Sequence, residues 1–268
     1  FSCNHAAMTR RGLSELKVGG LTLRGVAKGG VETSLMVPEL KLLFDVGQVH
    51  PGAQSYDRIL VSHGHADHLG GLHYLISQRH LQDRRPPEVY VPVEIEAPLH
   101  TIFGAWREIE GFDLTVDLRP VRPGDDFEVG KGLRARALRT THRVPSLAYC
   151  VDRITHKLKT EFQGRPREEI VAAKEAGREL TSPARSPQIC VSGDTQIEFL
   201  KGHPELLDVR VLVHEVTSWD ERRSVEQTRH WGHTHVEEMI PVSEGFTGEA
   251  LVLVHRSMRH SVEEARAV

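Results

Sequence analysis

The sequence predicts a single mixed α/β domain over residues 8–268, and three observations carry that prediction. Short β-rich runs recur between Gly and Pro punctuation, amphipathic helical stretches separate several of them, and three late aliphatic runs each lead into a polar residue. With 268 residues, 39% hydrophobic and 26% charged, the chain can bury a sizeable core without help from disulfides.

Taken in order, strands are expected at Leu21 to Leu23, Ser34 to Val37, Lys41 to Val46, Arg58 to Ser62, Glu88 to Val93, Leu114 to Leu118 and Leu133 to Leu138, several alternating as half-buried strands do. Helices are expected at Leu69 to Leu81, where Leu72, Leu75 and Ile76 share a face, at Ile95 to Ile109, where Leu99, Ile102, Phe103 and Trp106 share another, and near Thr234 to Ile240. Gln188 to Val191, Val209 to Val213 and Ala250 to Val254 read as buried strands whose C-terminal ends deliver polar residues, which is where sheets present chemistry. Residues 152–187 break the rhythm. Charged and interrupted by prolines, with one amphipathic piece around Arg167 to Leu180, they read as an inserted arm or lid.

Composition then narrows the function classes. A formal charge of -3 excludes the strongly basic, histone-like mode of nucleic-acid binding and leaves a local basic surface open. Residues 131–188 supply such a region, because their thirteen basic and six acidic side chains net +7 while the rest of the chain nets -10. Cys3, Cys150 and Cys190 are far apart and form neither a paired framework nor a CxxC site, so apolar packing in a reducing cytoplasm is the expectation for Cys150 and Cys190. The aliphatic runs, Leu251 to Val254 among them, are far too short to span a bilayer, and no membrane association is expected. The chain opens Phe1-Ser2-Cys3, and residues ahead of Met8 are given no structural weight. Histidine is the one residue type in excess, at seventeen, and imidazole is the commonest side-chain metal ligand.

Those histidines concentrate in one string. After the strand ending at Val61 comes Ser62-His63-Gly64-His65-Ala66-Asp67-His68-Leu69-Gly70-Gly71, three imidazoles and a carboxylate in six residues at a strand-to-helix turn. A tight turn splays alternate side chains, so His63 and His65 can point to one metal while Asp67 and His68 point to another. Imidazole with carboxylate suits Zn²⁺, with Mn²⁺ or Fe²⁺ less favoured.

The HxHxDH string resembles that of the metallo-β-lactamase superfamily. The resemblance implies an αββα sandwich, two mixed sheets flanked by helices, and three further ligands, which this chain supplies in order: His142 in Thr140-Thr141-His142, Asp194 in Ser192-Gly193-Asp194-Thr195, and His255. It implies two zinc ions per chain sharing a bridging hydroxide, the nucleophile. One ion would be held by His63, His65 and His142, the other by Asp67, His68 and His255, with Asp194 bridging and Asp67 also able to accept a proton from the shared water.

Further strings are similar to those of the ribonuclease Z group, which matures tRNA 3′ ends. His142-Arg143-Val144-Pro145-Ser146-Leu147-Ala148-Tyr149 is similar to HxxxSxGY, His214-Glu215-Val216-Thr217 to HEAT, Gly232-His233-Thr234 to GHST, and His255-Arg256-Ser257-Met258-Arg259-His260 to HFSxRY. By that resemblance His233 is the general acid that protonates the leaving oxygen, Glu215 orients it, and Ser146, Ser257 and Arg259 lie on the substrate side. The arm at 152–187 would be the RNA exosite, with Lys157 and Lys159 among its contacts. Precursor tRNA is the implied partner and a homodimer the implied assembly. The pattern also departs from the family: the glycine-rich DxGEGTQ loop appears here as Asp45-Val46-Gly47-Gln48-Val49-His50, and the aromatic residues of HFSxRY are Arg256 and His260. The metal set is intact while substrate-facing positions differ, which keeps open a second reading, a dinuclear hydrolase of a small cyclic phosphodiester, lactone or thioester. A non-catalytic RNA-binding relative is a third class, and the complete ligand set argues against it.

Overall fold

A computed structural model describes residues 7–8 and 13–267. Within the span 8–268 expected to form one domain, positions 9–12 and 268 therefore lie outside the described residues. The first part of the chain forms β1 (Ala7–Met8), β2 (Ser14–Val18), β3 (Leu21–Gly29), β4 (Glu32–Val37), β5 (Leu42–Phe44), β6 (Arg58–Leu60), α1 (Ala66–Leu69), α2 (Leu72–His80), β7 (Glu88–Pro92), α3 (Val93–Glu110) and β8 (Asp117–Val121). The second part forms β9 (Asp126–Gly130), β10 (Leu133–Arg139), β11 (Leu147–Leu158), α4 (Arg167–Glu175), β12 (Thr181–Val191), α5 (Glu198–Gly202), β13 (Val211–Glu215), α6 (Val225–His230), α7 (Val236–Ser243), β14 (Ala250–Val254), β15 (Arg256–Ser257) and α8 (Val262–Ala267).

Two mixed sheets result. One runs β1-β2-β3-β4-β5-β6-β7-β8, with β15 returning to pair with β3, and the other runs β14-β13-β12-β11-β10-β9. Period-two alternation on strands buried on both faces sets the layers. In β13, Val211 and Val213 face the first sheet, packing with Leu42, Phe44 and Leu60, while Leu212 faces outward onto Phe199, Leu200 and Met239. On the far side, Ile59 and Val61 pack outward against Leu72, Leu75, Ile76, Leu99 and Phe103. The order helix, sheet, sheet, helix is the αββα sandwich that the sequence resemblance implies.

Four differences from the expectations have local causes. The helix expected over Leu69 to Leu81 is two, because the chain turns at Gly70-Gly71, where Gly71 N–H donates to Val46 O at 2.8 Å. The strand expected at Leu114 to Leu118 lies at Asp117–Val121, with Pro120 accommodated on a sheet edge and Leu114 packed in the helix-side core. Cys150 and Cys190, expected as separate packing residues, are direct cross-strand partners on β11 and β12 and form a disulfide. The antiparallel register brings these residues, 40 apart in sequence, to Cα atoms 4.0 Å apart, so the cysteine argument for a reducing compartment does not stand.

The fourth is the arm. Its flanks are regular: the outer parts of β11 and β12 pair from Asp152 with Pro187 to Leu158 with Thr181, past a register shift at Val151/Asp152. A tip of residues 159–180 carries α4 and encloses Phe162 beneath the Arg178 guanidinium, 4.8 Å from the ring centre. Much of the basic excess is paired locally, Lys159 with Glu179, Arg165 with Glu169 and Arg178 with Glu161. Arg153, Lys157, Arg167 and Lys174 form no ion pair among the described residues.

Candidate active site

Every proposed ligand sits on a loop or helix start at one rim of the two sheets. His63, His65, Asp67 and His68 follow β6, His142 lies between β10 and β11, Asp194 follows β12, and His255 follows β14 with a left-handed backbone at φ 63°. Two clusters form. His63 Nε2 and His65 Nδ1 are 3.0 Å apart, His65 Nδ1 and His142 Nε2 3.3 Å, and His63 Nε2 lies 3.7 Å from Asp194 Oδ2. Around the other Asp194 oxygen, Oδ1, lie His68 Nε2 at 3.2 Å and His255 Nε2 at 3.3 Å, and Asp67 Oδ2 is 3.5 Å from His255 Nε2. Bonds of 2.0–2.1 Å to a tetrahedral zinc place its ligand atoms roughly 3.3–3.4 Å from one another, and both clusters have that scale.

The hydrogen bonds on the far side of each ring show why a cation fits. His68 Nδ1 donates to Asp45 Oδ2 at 2.8 Å, His142 Nδ1 to the Gly232 carbonyl at 2.8 Å, and His255 Nδ1 to Thr217 Oγ1 at 2.9 Å. Each bond turns Nε2 inward, where a neutral ring would offer its lone pair to a cation; with no cation, Asp194 and Asp45 outweigh burial and hold the His68 imidazole well above its usual range. The Nε2 atoms of His68 and His255, 3.3 Å apart, face each other and the buried Asp194 Oδ1. A cation at that centre satisfies all three. Burial pushes the Asp194 carboxyl up, but His255, His68 and His63 outweigh it and hold the group well below the usual carboxylate range. For His63, His65 and His142, burial prevails and lowers the imidazole pKa, favouring the neutral form that binds metal.

His233 stands at the edge of this centre, in the loop ahead of α7. Its Nδ1 lies 2.9 Å from Glu215 Oε1 and 3.8 Å from Asp194 Oδ2. Burial disfavours its charged form, but the Glu215 charge and hydrogen bond reverse that and push its pKa up to about 9. Glu215, at the end of β13, is itself fixed by Thr195 N–H at 3.1 Å, Thr234 N–H at 3.3 Å and the Thr217 hydroxyl at 2.9 Å. That same hydroxyl holds His255, so the His233 and His255 rings are tied through two residues.

The remaining expected residues are placed differently. Ser146 is buried, with its hydroxyl donating to the Asp194 carbonyl at 3.5 Å, so it braces the ligand loop and has no exposed surface through which to meet substrate. Ser257 lies on β15 with its N–H bonded to Thr217 O at 3.0 Å, and Arg259 is exposed in the turn beyond. Lys157 and Lys159 lie on the arm and not in the metal cluster, and Lys159 is 2.8 Å from Glu179. Two supporting residues carry no signal of their role in the sequence, Asp45 and Thr217. His235, directly after the Gly232-His233-Thr234 string, is buried and caps α7 by accepting from Glu237 N–H at 3.2 Å.

Two mixed sheets with helices outside, and a histidine-carboxylate centre built on their strand ends, define a hydrolase centre of the metallo-β-lactamase fold. The family model described as "Beta-lactamase superfamily domain" matches residues 40–256. Among solved structures, the metallo-β-lactamase fold protein YhfI from Bacillus subtilis superposes with a TM-score of 0.64 at 13% identity, over 90% of this chain and 88% of that one. Human tRNase Z, short form, superposes with a TM-score of 0.59 at 20% identity, over 91% and 93%. The chain is 33% identical to tRNase Z TRZ1 of Arabidopsis thaliana across 251 residues, 93% of this chain and 90% of the relative. It belongs to the metallo-β-lactamase superfamily and, within it, to the ribonuclease Z family of hydrolases. The fold implies divalent metal binding, and the described residues hold the clusters that could provide it. No helix among them is long and apolar enough to cross a membrane.

Proposed function

We propose that the protein is an endoribonuclease that removes the 3′ trailer from precursor tRNA, leaving a 3′-hydroxyl on the tRNA. The observation that carries this reading is the hydrogen bond joining His233 to Glu215 at the edge of a paired-cluster metal centre, which puts a proton donor beside a hydrolytic site. In this reading His63, His65 and His142 would hold one zinc ion and Asp67, His68 and His255 a second, with Asp194 available to both. When bound, the metal would lower the pKa of a water at the centre toward neutrality and offset charge developing on the phosphoryl oxygens.

The chain's own residues do the rest. Asp67, whose carboxyl burial would raise but whose bond to His255 and neighbouring imidazoles bring down to about 2, is ionised and accepts the proton of the attacking water. His233 gives its proton to the departing ribose oxygen, and Glu215 keeps the ring charged and oriented until it does. Arg259, at the exposed turn after β15, faces the substrate side. The arm, with Lys157 and the other unpaired basic side chains, grips phosphates remote from the cut. A homodimer and a cytoplasmic site of action belong to the same proposal, the latter resting on the substrate and not on the cysteines.

A precursor tRNA transcript incubated with zinc- or manganese-loaded protein tests the reading, with product ends mapped. Cleavage 3′ of the discriminator region supports it, and removal of 159–180 is then expected to weaken tRNA cleavage far more than turnover of a chromogenic phosphodiester, with loss of the steep salt dependence that phosphate contacts bring. Turnover of the chromogenic diester without any cleavage of tRNA would instead favour the small-molecule hydrolase reading. The charged, largely exposed arm argues against the lactone and thioester versions of that reading, since a small apolar substrate calls for an apolar cover.

A further inference from the structure

We infer that Arg143 and Trp231 form a stacking shelf that positions the nucleobase on the leaving-oxygen side of the scissile phosphate. This rests on the endoribonuclease reading above and adds a subsite to it. Trp231 is 47% exposed although large and apolar, and the Arg143 guanidinium lies over its ring, 4.7 Å from the centroid. Arg143 has no carboxylate partner among the described residues, so its charge is available to an anionic ligand.

The shelf is built into the catalytic loops on both sides. Arg143 directly follows the ligand His142, and Trp231 is separated from the proton donor His233 by Gly232 alone. Gly232 locks the loops together: its carbonyl holds His142 Nδ1 at 2.8 Å, and a Cβ there would stand 2.7 Å from His142 Nδ1 and 3.1 Å from Arg143 N, at a φ of 81°. Only glycine permits that approach. The Trp231 loop is pinned in turn by His233 N–H to Thr228 O at 3.2 Å and by Gln196 Nε2 to Arg229 O at 2.7 Å. The ring is thus held by the loop that delivers a proton to the departing ribose oxygen, and the base on that ribose is the one it can reach. An open cleft of about 640 Å³ adjoins the shelf, lined by Arg143 with Thr141, His142, Val144 and His203 among others. An exposed indole beside an unpaired guanidinium suits a base joined to phosphate, since every base has a face to stack and the cation reads the backbone.

A mutant cycle on the full, zinc-loaded chain tests this. Wild type and Trp231→Ala are compared on two precursor tRNAs, one intact and one abasic at the nucleotide 5′ of the cut, in single-turnover kcat/KM. The shelf requires roughly tenfold or greater loss from either change alone and little further loss from both together. Trp231→Phe retains most of the rate on the intact precursor, and Arg143→Lys, which keeps charge but loses the planar stack, falls between. Losses that multiply independently overturn the shelf, as does intact-substrate cleavage by Trp231→Ala at the wild-type rate. If Trp231→Ala does not fold, the same cycle run with Arg143→Ala decides by the same criterion. Failure of wild type to cut any precursor removes the endoribonuclease reading and the shelf with it, an outcome distinct from cleavage with independent losses.

Discussion

Replacing Asp45 by Asn probes the metal centre through a residue that makes no contact with a metal or with substrate in the arrangement above. Asp45 is buried and accepts three hydrogen bonds, from Ser62 N at 2.7 Å, Ser62 Oγ at 2.8 Å and His68 Nδ1 at 2.8 Å. Its φ of 56° is one that Asn tolerates and Ala does not, so Asn isolates the chemistry from the backbone. An amide has one acceptor oxygen, and whichever way it turns, its NH₂ faces a donor: Ser62 N–H or the His68 ring. Hydrogen bonds to a charged group are worth about 1.5–3 kcal/mol, and loss of a ligand's supporting carboxylate costs roughly 10–100-fold in metal affinity, figures that agree with each other. Zinc affinity measured by competition with a chromogenic chelator should therefore fall by roughly 10–100-fold at one of two sites and much less at the other. The metal-free protein should melt about 4–8 °C lower, from a loss of about 2 kcal/mol. If both zinc affinities equal those of wild type, Asp45 does not hold His68, and the account of why the ring nitrogens point inward is wrong.

Three further outcomes follow from the geometry. Gly47→Ala would set a Cβ 2.0 Å from the Asp67 carbonyl and 2.8 Å from Thr33 N, so it should cost about 3 kcal/mol or more by chemical denaturation and displace the Asp67 turn; wild-type stability would contradict that packing. Glu215→Gln removes the charge that keeps His233 protonated, and kcat/KM on precursor RNA should fall roughly 100-fold with zinc content preserved, whereas an unchanged rate would take His233 out of proton transfer. Thiol titration of denatured, unreduced protein should count one of the three cysteines as free, and three free thiols would contradict the Cys150–Cys190 pair.

How much of this was legible beforehand depends on how local each signal is. The string from His63 to His68 sits in one turn, and the later ligands stand at the ends of aliphatic runs that announce themselves as buried strands, so the centre could be assembled in order. Asp45 could not, because its role depends on a left-handed backbone and on a strand pairing that sets it beside Ser62, 17 residues away. The cysteine pair hides for a related reason: only the register of β11 on β12, across an intervening tip, makes the two opposite. The arm's flanks do not read as strands in the sequence because a hairpin standing clear of the core buries neither face, and alternation disappears when no face needs to be apolar. Ser146 had the right neighbours in sequence but points under the ligand loop, a direction that a motif does not encode.

The ligands come from both sheets, and this bears on how the molecule is made. Synthesis runs from the N-terminus, at about 5–20 residues per second, so the string from His63 to His68 exists for roughly ten seconds or more before His255, 187 residues beyond His68, is added. Until the second sheet has docked, the early histidines can meet a cation only as an incomplete ligand set. A half-made chain therefore carries the most conspicuous motif in the sequence and no nuclease. Activity is withheld until the strand ahead of His255 closes, so that an enzyme capable of cutting RNA comes into being only after both sheets have been translated.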